Sequence, residues 1–96
     1  MKKATKWDIA EYLSNDEEII EYLNAALKEG DSAVVSAALG DIARAKGMTQ
    51  LSKETGISRD GLYKALSQNG NPSFGTIQKV IKALGLKLDV SLCSAQ

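Results

Sequence analysis

Histidine is absent from the chain, and cysteine, proline, tryptophan and phenylalanine occur only once each. Without histidine, the commonest general base, the Ser-His and Cys-His nucleophile pairs and the usual zinc ligand are all missing. Cys93 lies among the last four residues, where it can form neither an internal disulfide nor a multi-cysteine metal site. We therefore expect no enzyme activity, no cofactor and no bound metal.

Long hydrophobic runs are also absent. No stretch approaches the roughly 20 consecutive apolar residues that span a bilayer, and the N-terminus lacks the apolar core of a signal peptide. Hydrophobic residues make up 44% and charged residues 25% of the 96 positions, the usual balance of a soluble globular chain. The sequence thus predicts one folded domain in the cytoplasm, with no membrane contact.

The formal net charge is zero, but the charges are unevenly distributed. Residues 1–48 carry six basic and nine acidic side chains, a net charge of −3. Residues 49–96 carry six basic and three acidic side chains, a net charge of +3. Because a phosphate backbone responds to local rather than total charge, the C-terminal half is the better candidate for contact with nucleic acid.

Apolar residues recur at helical spacing in three long stretches. They predict helices at Asp16–Glu29, between Asp31 and Gly47, and at 74–84, where an apolar stripe begins with Phe74. Residues 14–17 have the pattern of a capping box headed by Ser14, and Asp31 suits an N-cap. Gly40 costs its helix about 1 kcal/mol relative to alanine, so we expect another helix to approach closely there.

The pattern changes after Gly85. Residues 86–92 alternate between apolar and polar, which is the period of a half-buried β-strand. The rest of the chain offers no second strand, and a lone strand leaves its backbone groups unpaired. The sequence therefore predicts a short C-terminal strand that pairs across a homodimer or with another protein. Leu88 and Val90 are the expected partner contacts in this strand.

Two shorter helical segments, at 49–55 and 58–67, are separated by only two residues. Helices that cross steeply need a small residue where they touch, which Ser52 supplies. The turn between them needs a residue that tolerates positive φ, and Gly56 meets that need. This pattern predicts a helix-turn-helix motif over residues 48–67, on an otherwise all-α domain.

The second helix of the motif would present its polar side to the major groove of DNA. The residues expected to contact DNA are Thr49, Gln50, Ser58, Arg59, Asp60, Tyr63, Lys64, Asn69 and Asn71. Arg59 is expected to pair with guanine, Lys64 with guanine or phosphate, and Tyr63 with phosphate or a thymine methyl group. Asp60 either accepts a hydrogen bond from cytosine N4 or only stabilises the helix N-terminus.

Five segments of the chain occur together: WDIAEYL at 7–13, AALGDIARAKGMTQ at 37–50, ETGISR at 54–59, LYKAL at 62–66 and GNP at 70–72. On these segments, the chain from residue 7 to residue 92 resembles the addiction-module antidote proteins, a branch of the Xre/Cro-like helix-turn-helix superfamily similar to HigA-type antitoxins. The resemblance implies a five-helix, lambda-repressor-like domain that binds a double-stranded DNA operator as a homodimer. It further implies repression of its own operon and neutralisation of a small RelE/HigB-like toxin.

Two other functions remain open. One is a protein-binding inhibitor of a toxin or enzyme without sequence-specific DNA binding, and the other is a stand-alone prophage-type regulator. In the first, Trp7, Tyr12 and the acidic residues near Glu17 would form the contact surface, although the two aromatic residues equally suit a core or dimer interface. The expected organisation is a tail and short leading segment at 1–13, the DNA-binding domain at 14–92 and a tail at 93–96.

Overall fold

The computed structural model describes residue 13 and residues 15–93 of the chain. The helices in this part are α1 (Asp16–Glu29), α2 (Ser32–Lys46), α3 (Met48–Thr55), α4 (Arg59–Ala65) and α5 (Phe74–Ala83). The predicted all-α class is confirmed, and no helix within the described ranges is long and apolar enough to cross a bilayer. Trp7, Tyr12 and Ser14, all named in the sequence analysis, lie outside the described residues.

Polar side chains and glycines set the ends of these helices. Asn15 is the N-cap of α1, because its side chain accepts a hydrogen bond from the Glu18 N–H at 2.9 Å. The N-cap is thus Asn15, one residue after Ser14, which was predicted to head the capping box. Asp31 and Ser73 cap α2 and α5 in the same way, and both are the caps that the sequence indicates. Gly30 ends α1 with a φ of 72°, the left-handed conformation that glycine adopts without strain.

The helices meet around one core. α1 packs mainly against α2, α3 contacts α2, α4 and α5, and α4 also contacts α2. The largest side chains that are fully buried there are Leu13, Ile19, Leu39, Ile42, Leu62, Leu66 and Val80. Full burial of one such side chain stabilises a fold by about 1.5–3 kcal/mol, so this core holds α3 and α4 in fixed positions.

Gly40 lies where α2 comes closest to the end of α4. A Cβ atom built at Gly40 would overlap the backbone carbonyl of Leu66, the residue that caps α4. The predicted close approach at this glycine is confirmed, and it brings the C-terminal end of α4 directly against α2.

Phe74 does not join the apolar stripe predicted for α5, since it is 63% exposed. It is the first residue of α5 and precedes the turn whose side chains face the core. Val80 and Ile81, farther along the same helix, are buried as the stripe requires. The sequence period therefore located the buried face correctly but extended it one turn too far.

The predicted C-terminal strand is not seen, because residues 86–93 have no regular secondary structure. No other part of the described chain forms a strand that could serve as its ladder partner. Leu86 packs against the core, but the exposed fraction rises to 42% at Leu88, 93% at Val90 and 96% at Leu92. Residues 86–93, the C-terminal segment, thus leave the helical body with Leu88, Val90 and Leu92 exposed.

Candidate nucleic-acid interface

Residues 56–58 form the turn between α3 and α4. Gly56 has φ 77° and ψ 10°, in the left-handed region, and its N–H donates to the Ser52 carbonyl at 2.9 Å. The backbone therefore reverses directly after α3, and α4 begins at Arg59. Both the turn and its glycine agree with the sequence prediction.

Two side chains fasten this turn. The Ser52 hydroxyl donates to the Ile57 carbonyl at 2.6 Å. The Thr55 hydroxyl donates to the Leu51 carbonyl at 2.8 Å and accepts from the Ile57 N–H at 3.2 Å. We expected Ser52 only for its small size, and these hydrogen bonds were not foreseen. Hydroxyl residues four positions and one position before a turn glycine are the signal that could have indicated them.

A hydrogen bond at the start of α4 and buried leucines within and after it hold this helix in place. At the start, the Ser58 hydroxyl accepts a hydrogen bond from the Gly61 N–H at 3.0 Å and is the N-cap. Leu62 within the helix and Leu66 just after it are almost completely buried. The opposite side of the helix consequently faces outward. Its exposed side chains are those predicted to contact DNA, namely Arg59, Asp60, Tyr63 and Lys64.

The loop after α4 folds back on the end of that helix. A Cβ atom at Gly70 would overlap the carbonyl oxygens of Lys64 and Ala65, so the loop backbone touches the last turn of α4. Asn69 and Asn71, on either side of Gly70, are exposed. The structure thus brings these two predicted DNA contacts next to the C-terminal end of the exposed helix.

Two donors on this surface, Gln50 and Lys64, are paired with carboxylates of their own helix. In α3, Gln50 Nε2 donates to Glu54 Oε2 at 2.9 Å, and Thr49 beside it is exposed. In α4, Lys64 Nζ lies 3.4 Å from Asp60 Oδ2, and both side chains are about four-fifths exposed. Such solvated pairs contribute little to stability, so Gln50 and Lys64 can exchange these partners for a ligand at small cost.

Helix α4 is compatible in width with the major groove of DNA. An α-helix is about 10–12 Å across, and the major groove of B-DNA is about 12 Å wide. The exposed side of α4 offers guanidinium, ammonium, phenol and carboxylate groups, which are the groups that read base edges and bind phosphate. Within residues 13 and 15–93 no cluster of His, Cys, Asp and Glu side chains suits a metal ion.

The other predicted contacts lie elsewhere. Leu88 and Val90 belong to the C-terminal segment and line shallow grooves together with residues of α1 or α5. They are exposed, as a partner contact requires, and they are not part of the helix-turn-helix surface.

A three-residue network joins α1 to α2. The Tyr22 hydroxyl donates to Asp41 Oδ2 at 2.6 Å, and Arg44 Nη2 lies 2.6 Å from Asp41 Oδ1. Burial of the phenol, reinforced by its hydrogen bond to the Asp41 carboxylate, raises the pKa of Tyr22 well above its ordinary value. We assign this group to the scaffold that supports α3 and α4.

The chain is similar in sequence to one protein family and to one relative of almost the same length. A sequence model of the family described as "Probable addiction module antidote protein" matches residues 3–92. An uncharacterized protein of Haemophilus influenzae is 54% identical over 84 residues, which cover 88% of this chain and 87% of that relative. No solved structure matches the chain significantly. The matched region contains α1 to α5 and most of the C-terminal segment.

Proposed function

The chain belongs to the family of probable addiction module antidote proteins, and on that premise we propose that it is a DNA-binding antitoxin. It binds a double-stranded operator as a homodimer through α3 and α4 and represses its own operon. It also neutralises a small toxin of the RelE/HigB type. The family supports the antitoxin role and implies a toxin partner. Trp7 and Tyr12 are candidate contacts for that toxin.

One observation carries the proposal for DNA. A glycine turn fastened by Ser52 and Thr55 presents the short helix α4 with its apolar side buried and its polar side open. In this arrangement Arg59 reads guanine, and Tyr63 contacts a thymine methyl group or a phosphate. Thr49, Ser58 and the two loop asparagines lie around α4 and contact the phosphate backbone, which fixes the position of the helix on the duplex.

Asp60 has a role in base recognition under this proposal. Ser58 already caps α4, so the helix start does not depend on Asp60 for a cap. Among the described residues, the Asp60 carboxylate has the exposed Lys64 ammonium as its partner. When Lys64 turns to a phosphate or to guanine, the carboxylate becomes available to accept from cytosine N4.

The test is a binding titration against the DNA immediately upstream of the gene, compared with a scrambled duplex of equal composition. Arg59→Ala is expected to lose about 1–3 kcal/mol of binding free energy on the upstream DNA alone, because it removes a base contact. Lys64→Ala is expected to weaken both duplexes and to reduce the salt slope by about 1, because it removes a phosphate contact. Lys46→Ala removes the same charge from the end of α2, outside both α4 and the C-terminal segment, and loses an exposed pair with Asp16. It is the matched control and leaves binding unchanged.

A wild-type protein that does not distinguish the two duplexes would overturn the operator proposal. The same conclusion holds if neither Arg59→Ala nor Lys64→Ala weakens binding. Retention of a toxin under those conditions would leave the chain as a protein-binding inhibitor.

A further inference from the structure

Exposed apolar side chains are concentrated on one side of the molecule. In the described part, the large exposed ones on α1 and in the C-terminal segment are Ile20, Leu27, Leu88, Val90 and Leu92. Ile20 and Leu27 line one groove together with residues 85–89, so the helix and the segment form a continuous surface. A contiguous apolar surface of this kind is typical of a protein interaction site.

The backbone N–H groups of the C-terminal segment are only partly used. The Leu86 N–H donates to the Ile81 carbonyl at 3.0 Å, and the Val90 N–H donates to Asp89 Oδ1 at 3.0 Å. The N–H groups of Lys87, Leu88 and Asp89 have no hydrogen-bond partner among the described residues. When a chain is extended, alternate residues direct their backbone groups to the same edge. On pairing in that form, residues 87 and 89 offer an edge on which neither N–H is already bonded.

The charges of Lys87 and Asp89 favour one register when the segment pairs with a second copy of itself. Lys87 and Asp89 lie symmetrically on either side of Leu88. If two copies of the segment pair antiparallel about Leu88, each Lys87 lies opposite the Asp89 of the other copy. Pairing about Lys87 or about Asp89 instead places two like charges opposite each other, which is destabilising.

We propose that residues 86–92 form an antiparallel pair with the same segment of a second copy, centred on Leu88. Lys87 and Asp89 then form the hydrogen-bonded pairs across the two-fold axis, since their backbone groups face the free edge. The Leu88 side chains meet in a non-hydrogen-bonded pair, where Cα atoms are about 4.5 Å apart. Leu86 lies opposite Val90, and the apolar face of the two-stranded ribbon covers the exposed side chains of α1. This strand pair is the interface of the proposed homodimer, so the inference rests on that proposed function.

Charge complementation between two variants tests this register. Analytical ultracentrifugation of the full chain without DNA is expected to show a dimer. Lys87→Glu and Asp89→Lys each place like charges opposite each other and should lower dimer affinity by about tenfold. An equimolar mixture of the two variants should recover wild-type affinity, because in the mixed dimer both cross-strand pairs again have opposite charges. Lys53→Glu makes the same charge change on α3 and is the control that leaves the dimer intact.

A monomeric wild-type protein would overturn the proposal. So would a mixture that stays as weak as either variant alone, because the two charges would then not face each other. Toxin binding that depends on Lys87 while the free protein remains monomeric would assign the segment to the toxin instead. A dimer that behaves as expected but ignores the upstream DNA would overturn the operator proposal and leave this interface in place.

Discussion

Gly40 and Gly75 are both helical glycines, but their surroundings differ. Either one costs its helix about 1 kcal/mol relative to alanine if only backbone propensity is considered. At Gly40 the missing Cβ leaves room for the backbone carbonyl of Leu66. At Gly75 a Cβ would lie 3.8 Å from Ser73 Oγ, which is ordinary van der Waals contact. Of these two positions, Gly40 is therefore the one where the packing of the helices requires glycine.

We predict opposite effects of alanine at these two positions. Gly40→Ala should lower the free energy of unfolding by about 2 kcal/mol, since α4 must move away from α2 and this overpacking outweighs the gain in helix propensity. Gly75→Ala should raise it by about 0.5 kcal/mol. Urea denaturation of both variants measures the difference. Equal stabilities would show that α2 and α4 do not need the close approach at residue 40.

Local signals in the sequence position most of the helices, whereas the C-terminal strand was wrongly predicted. The bounds of α1, the capping role of Asp31 and the turn at Gly56 all follow from neighbouring residues. The exposure of Phe74 does not, because it depends on how α5 is rotated against the core. The hydrogen bond from Tyr22 to Asp41 spans 19 positions and joins two helices, so no local pattern indicates it.

Removal of the Tyr22 hydroxyl should make stability less sensitive to alkaline pH. At neutral pH, Tyr22→Phe loses its hydrogen bond to Asp41 and should destabilise the fold by about 1 kcal/mol. Because folding raises the pKa of Tyr22, the unfolded chain releases the phenol proton above about pH 10 while the folded chain retains it. Wild-type stability therefore falls relative to Tyr22→Phe above that pH, and the gap between the two closes.

Denaturation midpoints from pH 7 to pH 11 check this prediction. Tyr63→Phe is the control, because the exposed Tyr63 has no hydrogen bond among the described residues and its removal should leave stability unchanged. A constant difference between wild type and Tyr22→Phe over the whole range would contradict the proposed link.

At the scale of the whole molecule, different surfaces are assigned to different partners. The helix-turn-helix residues lie on α3, α4 and the loop that follows, within the half of the chain that carries a net charge of +3. The proposed dimer surface consists of α1 and the C-terminal segment. The uneven distribution of charge and the sequence motif predicted the first surface. Of the second surface, the sequence predicted the contacts at Leu88 and Val90. The contribution of α1 needed the structure, since only there do its exposed side chains meet residues 85–89.

A two-fold dimer implies an operator with two inverted half-sites. Their centres should lie about 10–10.5 base pairs apart or at a multiple of that spacing, so that both copies of α4 enter the major groove from one side. Insertion of about 5 base pairs between the half-sites turns one of them to the opposite side of the duplex and should abolish the two-site complex. Gel-shift titrations compare the two spacings. Equal affinity for both would mean that the protomers bind independently.

The hydroxyl groups of Ser52 and Thr55 have a consequence for the DNA itself. Under the proposed function, these hydrogen bonds hold the Gly56 turn before DNA is bound, so the backbone of α3 and α4 has less conformational entropy to lose on docking. On the protein side, adjustment is then limited to exposed side chains such as Gln50 and Lys64, and changes of backbone shape fall to the nucleic acid. Base pairs that no side chain touches will influence affinity through the ease with which they bend or twist, and flexible pyrimidine–purine steps will be favoured over stiff A-tracts where the operator has to curve.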